Sequence, residues 1–118
     1  MSENIIDYEI LGDTIKYKCN ISNSNIVFQK NKDTMKLTYA EFNWDIPKLV
    51  LHLINYSVND IMTRYKDVVH FNYCINKEDY KGLDKSDWVI KKEYDNYYEL
   101  QCPIKESMYN VIKGFMAS

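Results

Sequence analysis

Glycine and proline are scarce in this chain, three and two residues in 118. Their scarcity excludes collagen-like repeats and Gly- or Pro-rich linkers. A phosphate-cradling loop needs closely spaced glycines so that backbone N–H groups can approach the anion, and Gly12, Gly82 and Gly114 stand far apart. Cysteine is also rare. Cys19, Cys74 and Cys102 cannot all pair within one chain, and no CxxC or HxxxH pair exists to seed a tetrahedral zinc site. Apolar runs never approach the ~20 residues of a spanning helix, so no membrane role is expected. The net charge is only −2. Nucleic-acid binders draw affinity from a basic excess that neutralises phosphates, and that excess is missing. Met1 to Asp7 is polar, without the apolar core of a signal peptide. With the odd cysteine, this predicts a reducing, cytoplasmic setting, the host cytoplasm for a viral protein.

What is present is a regular alternation. In Thr14 to Ile21 the apolar residues Ile15, Tyr17, Cys19 and Ile21 occupy every second position, with Lys16, Lys18 and Asn20 between them. A two-residue period turns one row to a core and the other to water, the mark of a half-buried strand. Ile5 to Leu11 forms a partner strand across Gly12-Asp13. Ile26 to Lys30 and Thr34 to Phe42 complete four antiparallel strands, the last with Met35, Leu37 and Tyr39 on its apolar row. At Asp45, a residue type that caps helices, the period changes, and Pro47 suits a first helical turn. From there to about Lys66, residues such as Val50, Leu53, Ile54, Val58 and Ile61 follow three- and four-residue steps, and Met62 continues that face.

Val69 to Ile75 alternates again, and Asn76 with Asp79 marks one short helical turn. Trp88 to Tyr94 and Tyr97 to Ile104 read as a hairpin turning at Asp95-Asn96. A closing helix spans about 104–113, with Met108, Val111, Ile112 and Phe115 on one side and Gly114 behind it. The predicted fold is α+β in one domain over residues 1–118: an antiparallel sheet of about six or seven strands, in the order ββββα–βββα, with two helices packed on one face.

Candidate chemistry is thin. His52 falls on the polar side of the long helix, and His70 on the polar side of its strand. His70 and Cys74 share a face but stand four residues apart, about 13 Å at 3.3 Å per residue, too far to hold one ion. Cys19 and Cys102 sit in inward register, as small buried thiols do. The acidic residues Glu78, Asp79, Asp84 and Asp87 lack the spacing of a calcium loop. No catalytic, cofactor or metal residue is assigned.

Tyrosine, at eleven residues, is the unusual component. Tyr17, Tyr39, Tyr73 and Tyr98 lie in apolar rows and read as core or core rim. Tyr80, Trp88, Tyr94 and Tyr97 fall in polar surroundings and are the candidate partner-binding surface, because aromatic anchors carry much of the energy of interfaces. The reading that follows is a small intracellular protein, not an enzyme, that acts through protein–protein contact: an inhibitor, an immunity factor or an assembly subunit. The Asn-, Lys-, Ile- and Tyr-rich composition matches AT-rich codons and hence a viral, phage or low-GC bacterial origin. A protein partner or a homodimer paired through an edge strand is expected, and nucleic acid is disfavoured. Two alternatives stand beside it. One is a single-stranded nucleic-acid binder that stacks bases on the sheet face with Lys91, Lys92, Tyr94 and Tyr97; the other is a small enzyme with a pocket between helix and sheet.

Overall fold

The computed structural model describes residues 5–81 and 89–104. The alternating segments form β1 (Ile6–Leu11), β2 (Thr14–Cys19), β3 (Ser24–Asn31) and β4 (Thr34–Glu41). Then come α1 (Pro47–Arg64), β5 (His70–Asn76), α2 (Lys77–Tyr80), β6 (Val89–Glu93) and β7 (Tyr97–Pro103). The strands make one seven-stranded sheet in the order β1-β2-β3-β4-β5-β7-β6, so the α+β class and the element order follow the periodicity. Gly12 adopts φ 61° in the first hairpin turn, the left-handed region that glycine enters without cost. Every neighbouring pair is antiparallel except β4 and β5, which run parallel because the chain crosses from one to the other through α1.

One face of the sheet is the core. Ile15, Tyr17, Ile26, Phe28, Met35, Phe71, Leu100 and Cys102 are at most 1% exposed. α1 lays Val50, Leu53, Ile54, Val58 and Ile61 against them, and α2 leans on the same side through Tyr80, whose ring meets Tyr98 edge-on at 4.7 Å. Phe28 and Phe71 stack at 5.2 Å across β4. The hydroxyl of the fully buried Tyr17 donates to Asp60 Oδ2 at 2.6 Å, and Arg64 closes on the same carboxylate at 3.1 Å. This satisfies the one polar atom that the tyrosine carries into the core. Burial, the Asp60 bond and the Asp60 charge together hold that phenol protonated at any ordinary pH.

Several local expectations change. β2 ends at Cys19, and Ile21 is 59% exposed, because the chain turns from Asn20 into β3. Asp45 does not cap α1. The N-cap is Ile46, and no side chain accepts a hydrogen bond from the first turn. Met62 lies at the exposed edge of the helix face, and Val69 precedes β5 with its N–H donated to Asp33. Asn76 does cap its short helix, accepting from the Asp79 N–H at 2.8 Å. Ser57 leaves α1 unbroken because its hydroxyl donates to the Leu53 carbonyl within the same helix. The closing helix expected over 104–113 lies, beyond Ile104, outside the described residues, as does Trp88.

Leu53 is fully buried at the centre of the α1 contact. Leu53→Asp removes an apolar side chain and buries an unpaired charge, a loss of about 4 kcal/mol or more. The expected outcome is loss of the cooperative thermal transition, read by circular dichroism.

Candidate functional site

The parallel pair creates an opening. β4 and β5 are hydrogen-bonded only from Thr34↔His70 to Leu37↔Tyr73. Beyond that the ladder between β3 and β4 slips by one residue: Phe28 lies opposite Leu37 but Val27 opposite Tyr39, so Thr38 is an extra residue on β4. Such a bulge bends its strand and increases the local twist. The Thr38 hydroxyl donates to the Val27 carbonyl at 3.2 Å. After Thr38 the side chains change face. Tyr39, expected in the core, is 51% exposed and bonds Glu41, while Ala40 turns inward.

β4 thus leaves β5, and a wedge opens between them with a cavity of about 380 Å³, lined by residues 36–40 of β4 and by Tyr73 and Cys74 of β5. The facing edges of the two strands carry no ladder between them there. Tyr73, half-buried in the wedge, has its phenol pushed up by burial, with smaller contributions from Asp79 and Cys74.

On the face of the sheet away from α1, a polar row adjoins this wedge. Asn72 is only 8% exposed. Its amide nitrogen donates to Glu99 Oε2 at 3.0 Å, and its oxygen accepts from Gln101 Nε2 at 2.9 Å, so the two bonds fix the amide orientation and aim the carboxylate. Lys36 Nζ stands 3.8 Å from Glu99 Oε1 and also reaches Cys74. Cys74 therefore has a basic neighbour, supplied by β4 across the sheet and invisible in the local sequence. Burial outweighs it and pushes the thiol up, so Cys74 is not an activated nucleophile.

Of the aromatic candidates, the structure gathers Tyr80, Tyr94 and Tyr97 at the end of the sheet where β5 runs into α2 and β6 turns into β7. Tyr94 and Tyr97 stack on each other at 4.5 Å, Lys92 lies over Tyr94 at 5.0 Å, and Tyr80 is spent on Tyr98. These rings mostly satisfy one another. His52 lies along α1 eight residues from Asp60, roughly 12 Å, and Asp60 is held by Tyr17 and Arg64. His70 faces a polar cavity with Asn72, Lys91 and Gln101. Among the described residues no group of three His, Cys, Asp or Glu side chains is placed to hold a metal ion, and no helix is long and apolar enough to cross a membrane.

No protein-family model matches the sequence, and no curated protein sequence does either. Solved structures do match the fold. GCN5 from Tetrahymena superposes with a TM-score of 0.57 at 11% identity, over 79% of this chain and 69% of that one. An F149G mutant of the spermidine N-acetyltransferase SpeG from Vibrio cholerae gives 0.56 at 10% identity, over 86% and 70%. The N-acetyltransferase PseH from Campylobacter jejuni gives 0.53 at 13% identity, over 78% and 69%. The fold is shared with N-acetyltransferases.

This overturns the reading of a non-enzymatic protein acting by contact, whether inhibitor, immunity factor or assembly subunit. The alternative of a single-stranded nucleic-acid binder falls with it, and so does the viral or phage attribution attached to that reading. The physical reason is that the wedge and the polar row are assembled from β4, β5 and β7. Their residues are separated in sequence by the whole of α1 and by the β5–β6 connection, and no spacing pattern announces them. Lys36, Asn72, Glu99 and Gln101 were the residues missed. The one local signal was polar residues interleaved at the inner strands β5 and β7 on a face that could have been apolar.

Differential alkylation reads this site directly. With iodoacetamide at neutral pH, Cys74 should be labelled first and buried Cys19 and Cys102 only on unfolding. Cys74 should still react more slowly than a free thiol, with its midpoint shifted to higher pH, because burial disfavours the thiolate. Mass spectrometry of the labelled peptides checks the order.

Proposed function

We propose that the chain is an N-acyltransferase that takes an acyl group from a thioester carrier at the β4–β5 wedge and passes it to an amine at Glu99. The observation that carries this reading is the divergence of the two parallel strands beside a positioned carboxylate. An open pair of strand edges accepts an extended, amide-bearing arm by the same hydrogen bonds that would complete a sheet.

The coenzyme A carrier that such a fold implies fits this chain at the wedge. Residues 38–40 of β4 with Tyr73 and Cys74 would hold the acyl arm. The first turn of α1 has Lys48 within it but offers the phosphates few N–H groups, because Pro47 carries none and those of Leu49 and Val50 donate to the Ile46 carbonyl. When bound, the group supplies an acyl carbon joined to sulfur, a bond easily exchanged for one to nitrogen.

The work of the protein's own residues is proton handling and orientation. Over the reaction a carbon–nitrogen bond forms, a carbon–sulfur bond breaks, and one proton moves from nitrogen to sulfur. Glu99 Oε1 accepts the proton from the amine. Its other oxygen is occupied by Asn72, which keeps the carboxylate aimed. Lys36 Nζ stands 3.8 Å from that same Oε1. Tyr73, held protonated by burial, is the wedge-lining group with a proton to give, and it recovers one from solvent. A general base of this kind contributes about 10²–10⁴-fold. The reading goes with a cytoplasmic setting, where three unpaired cysteines stay reduced.

Acetyl-coenzyme A incubated with the protein and a panel of primary amines should release free thiol, read with a thiol-reactive dye. Glu99→Gln should lower the rate by about 10²–10⁴-fold with the melting temperature little changed. Absence of both thiol release and donor binding by calorimetry would overturn the reading.

A further inference from the structure

The outer face continues past the polar row into a second, larger cavity of about 520 Å³ at the opposite end of the β4–β5 ladder from the wedge. Its wall comes from the β3–β4 turn, from the starts of β4 and β5, and from β6 and β7. Lys32, Lys91 and His70 bring basic nitrogen to it, and the lining is completed by Thr34, whose hydroxyl donates to the Asn31 carbonyl, and by the Asn72 and Gln101 amides of the polar row. Asp33 is the one acidic residue in the lining. Lys32 occupies this position through a left-handed turn at φ 56°, unusual for a residue with a side chain. The turn is tied down by Lys30, whose ammonium donates to the Lys32 carbonyl at 2.9 Å and to Asp67 at 2.8 Å. Among the described residues, neither the Lys32 nor the Lys91 ammonium has an ion-pair partner. Two such cations at one cavity form an environment that favours an anion.

Register fixes the distance from this cavity to the proposed base. Gln101 and Glu99 lie two residues apart on one face of β7, about 7 Å, and Cys74, opposite Glu99, lies four residues from His70 on β5, about 13 Å. Asn72 bridges the two regions, bonded to Glu99 on one side and Gln101 on the other. We infer that the cavity of Lys32, His70 and Lys91 is the anchor for the far end of the acceptor, so the acceptor is a small amine that carries a phosphate or carboxylate roughly 7–13 Å from its nitrogen. The inference rests on the acyltransferase reading for the amine end, whereas the anion end stands on the cavity itself.

Two measurements separate these. In the first, ¹H–¹⁵N spectra of the full chain are recorded at constant ionic strength with inorganic phosphate and, in a parallel arm, with acetate. Saturable shifts at Thr34, His70 and Gln101 are expected with at least one anion, and the tighter one identifies the head group. In Lys91→Ala and Lys32→Ala the dissociation constant should rise about tenfold, as for loss of one charge-assisted bond. No saturable shift with either anion overturns the inference.

In the second, hexylamine, 6-aminohexanoate and 6-aminohexyl phosphate are compared as acyl acceptors. One of the anionic amines should show a KM about tenfold below that of hexylamine, an advantage that Lys91→Ala abolishes. Equal KM values for all three overturn the inference and leave the transferase reading standing. Saturable anion binding without transfer to any acceptor overturns the transferase reading and leaves the anion site standing.

Discussion

One extra residue in a strand governs this molecule. Thr38 has no counterpart in β3, and the ladder accommodates it by slipping between Val27 and Phe28. A strand has two faces and a period of two, so a single insertion reverses every side chain beyond it. Tyr39 goes out to solvent and Ala40 comes in. The same bend draws β4 away from β5 after only four paired residues. Without it the parallel pair would stay closed along its length, and no cavity would open beyond the Leu37–Tyr73 pair. The core tolerates the slip because Met35 and Leu37, on the near side, keep their inward register against Phe28 and Phe71.

The two faces of the sheet then divide the labour. The inner face is largely apolar and closed by α1, and the Tyr17 hydroxyl buried in it donates to Asp60, which Arg64 holds in turn. That rigidity lets the outer face carry polar groups in fixed positions. Asn72, Glu99 and Gln101 come from neighbouring central strands, so their backbones are locked by pairing on both sides and their side chains have little freedom left. Lys36 joins them from β4 on the near side of the bulge. The cationic cavity beyond Asn72 belongs to the same face, so one continuous polar track runs from the wedge to the β3–β4 turn.

Most of the architecture was legible. The alternation in Thr14 to Cys19 and in Met35 to Leu37, the step pattern of α1, the Asn76 cap and the Asp95-Asn96 turn all appear where the residues put them. These are local facts, set by side-chain period and by the hydrogen bonds of nearby groups. The failures have a common cause. Tyr39 is misplaced because a bulge cannot be seen in the pattern of one strand. Asp45 is a good cap by type, yet the helix begins one residue later and its first turn goes uncapped. Tyr94 and Tyr97 stack on each other and Tyr80 meets Tyr98 edge-on, since ring contact removes more apolar surface than leaving each ring in water.

The sequence by itself determined the seven strands, the long helix and their order, and which row of β2, of β5 and of the first half of β4 meets the core, because burying an apolar row is the dominant favourable term and a period of two or 3.6 leaves little choice. Tertiary structure alone decided that β5 lies beside β4 in parallel, that β7 and not β6 follows it, and that Lys36, Asn72 and Glu99 meet. Those juxtapositions depend on how α1 carries the chain back across the sheet and on which edges remain to be paired, and neither is written in any stretch shorter than the whole fold.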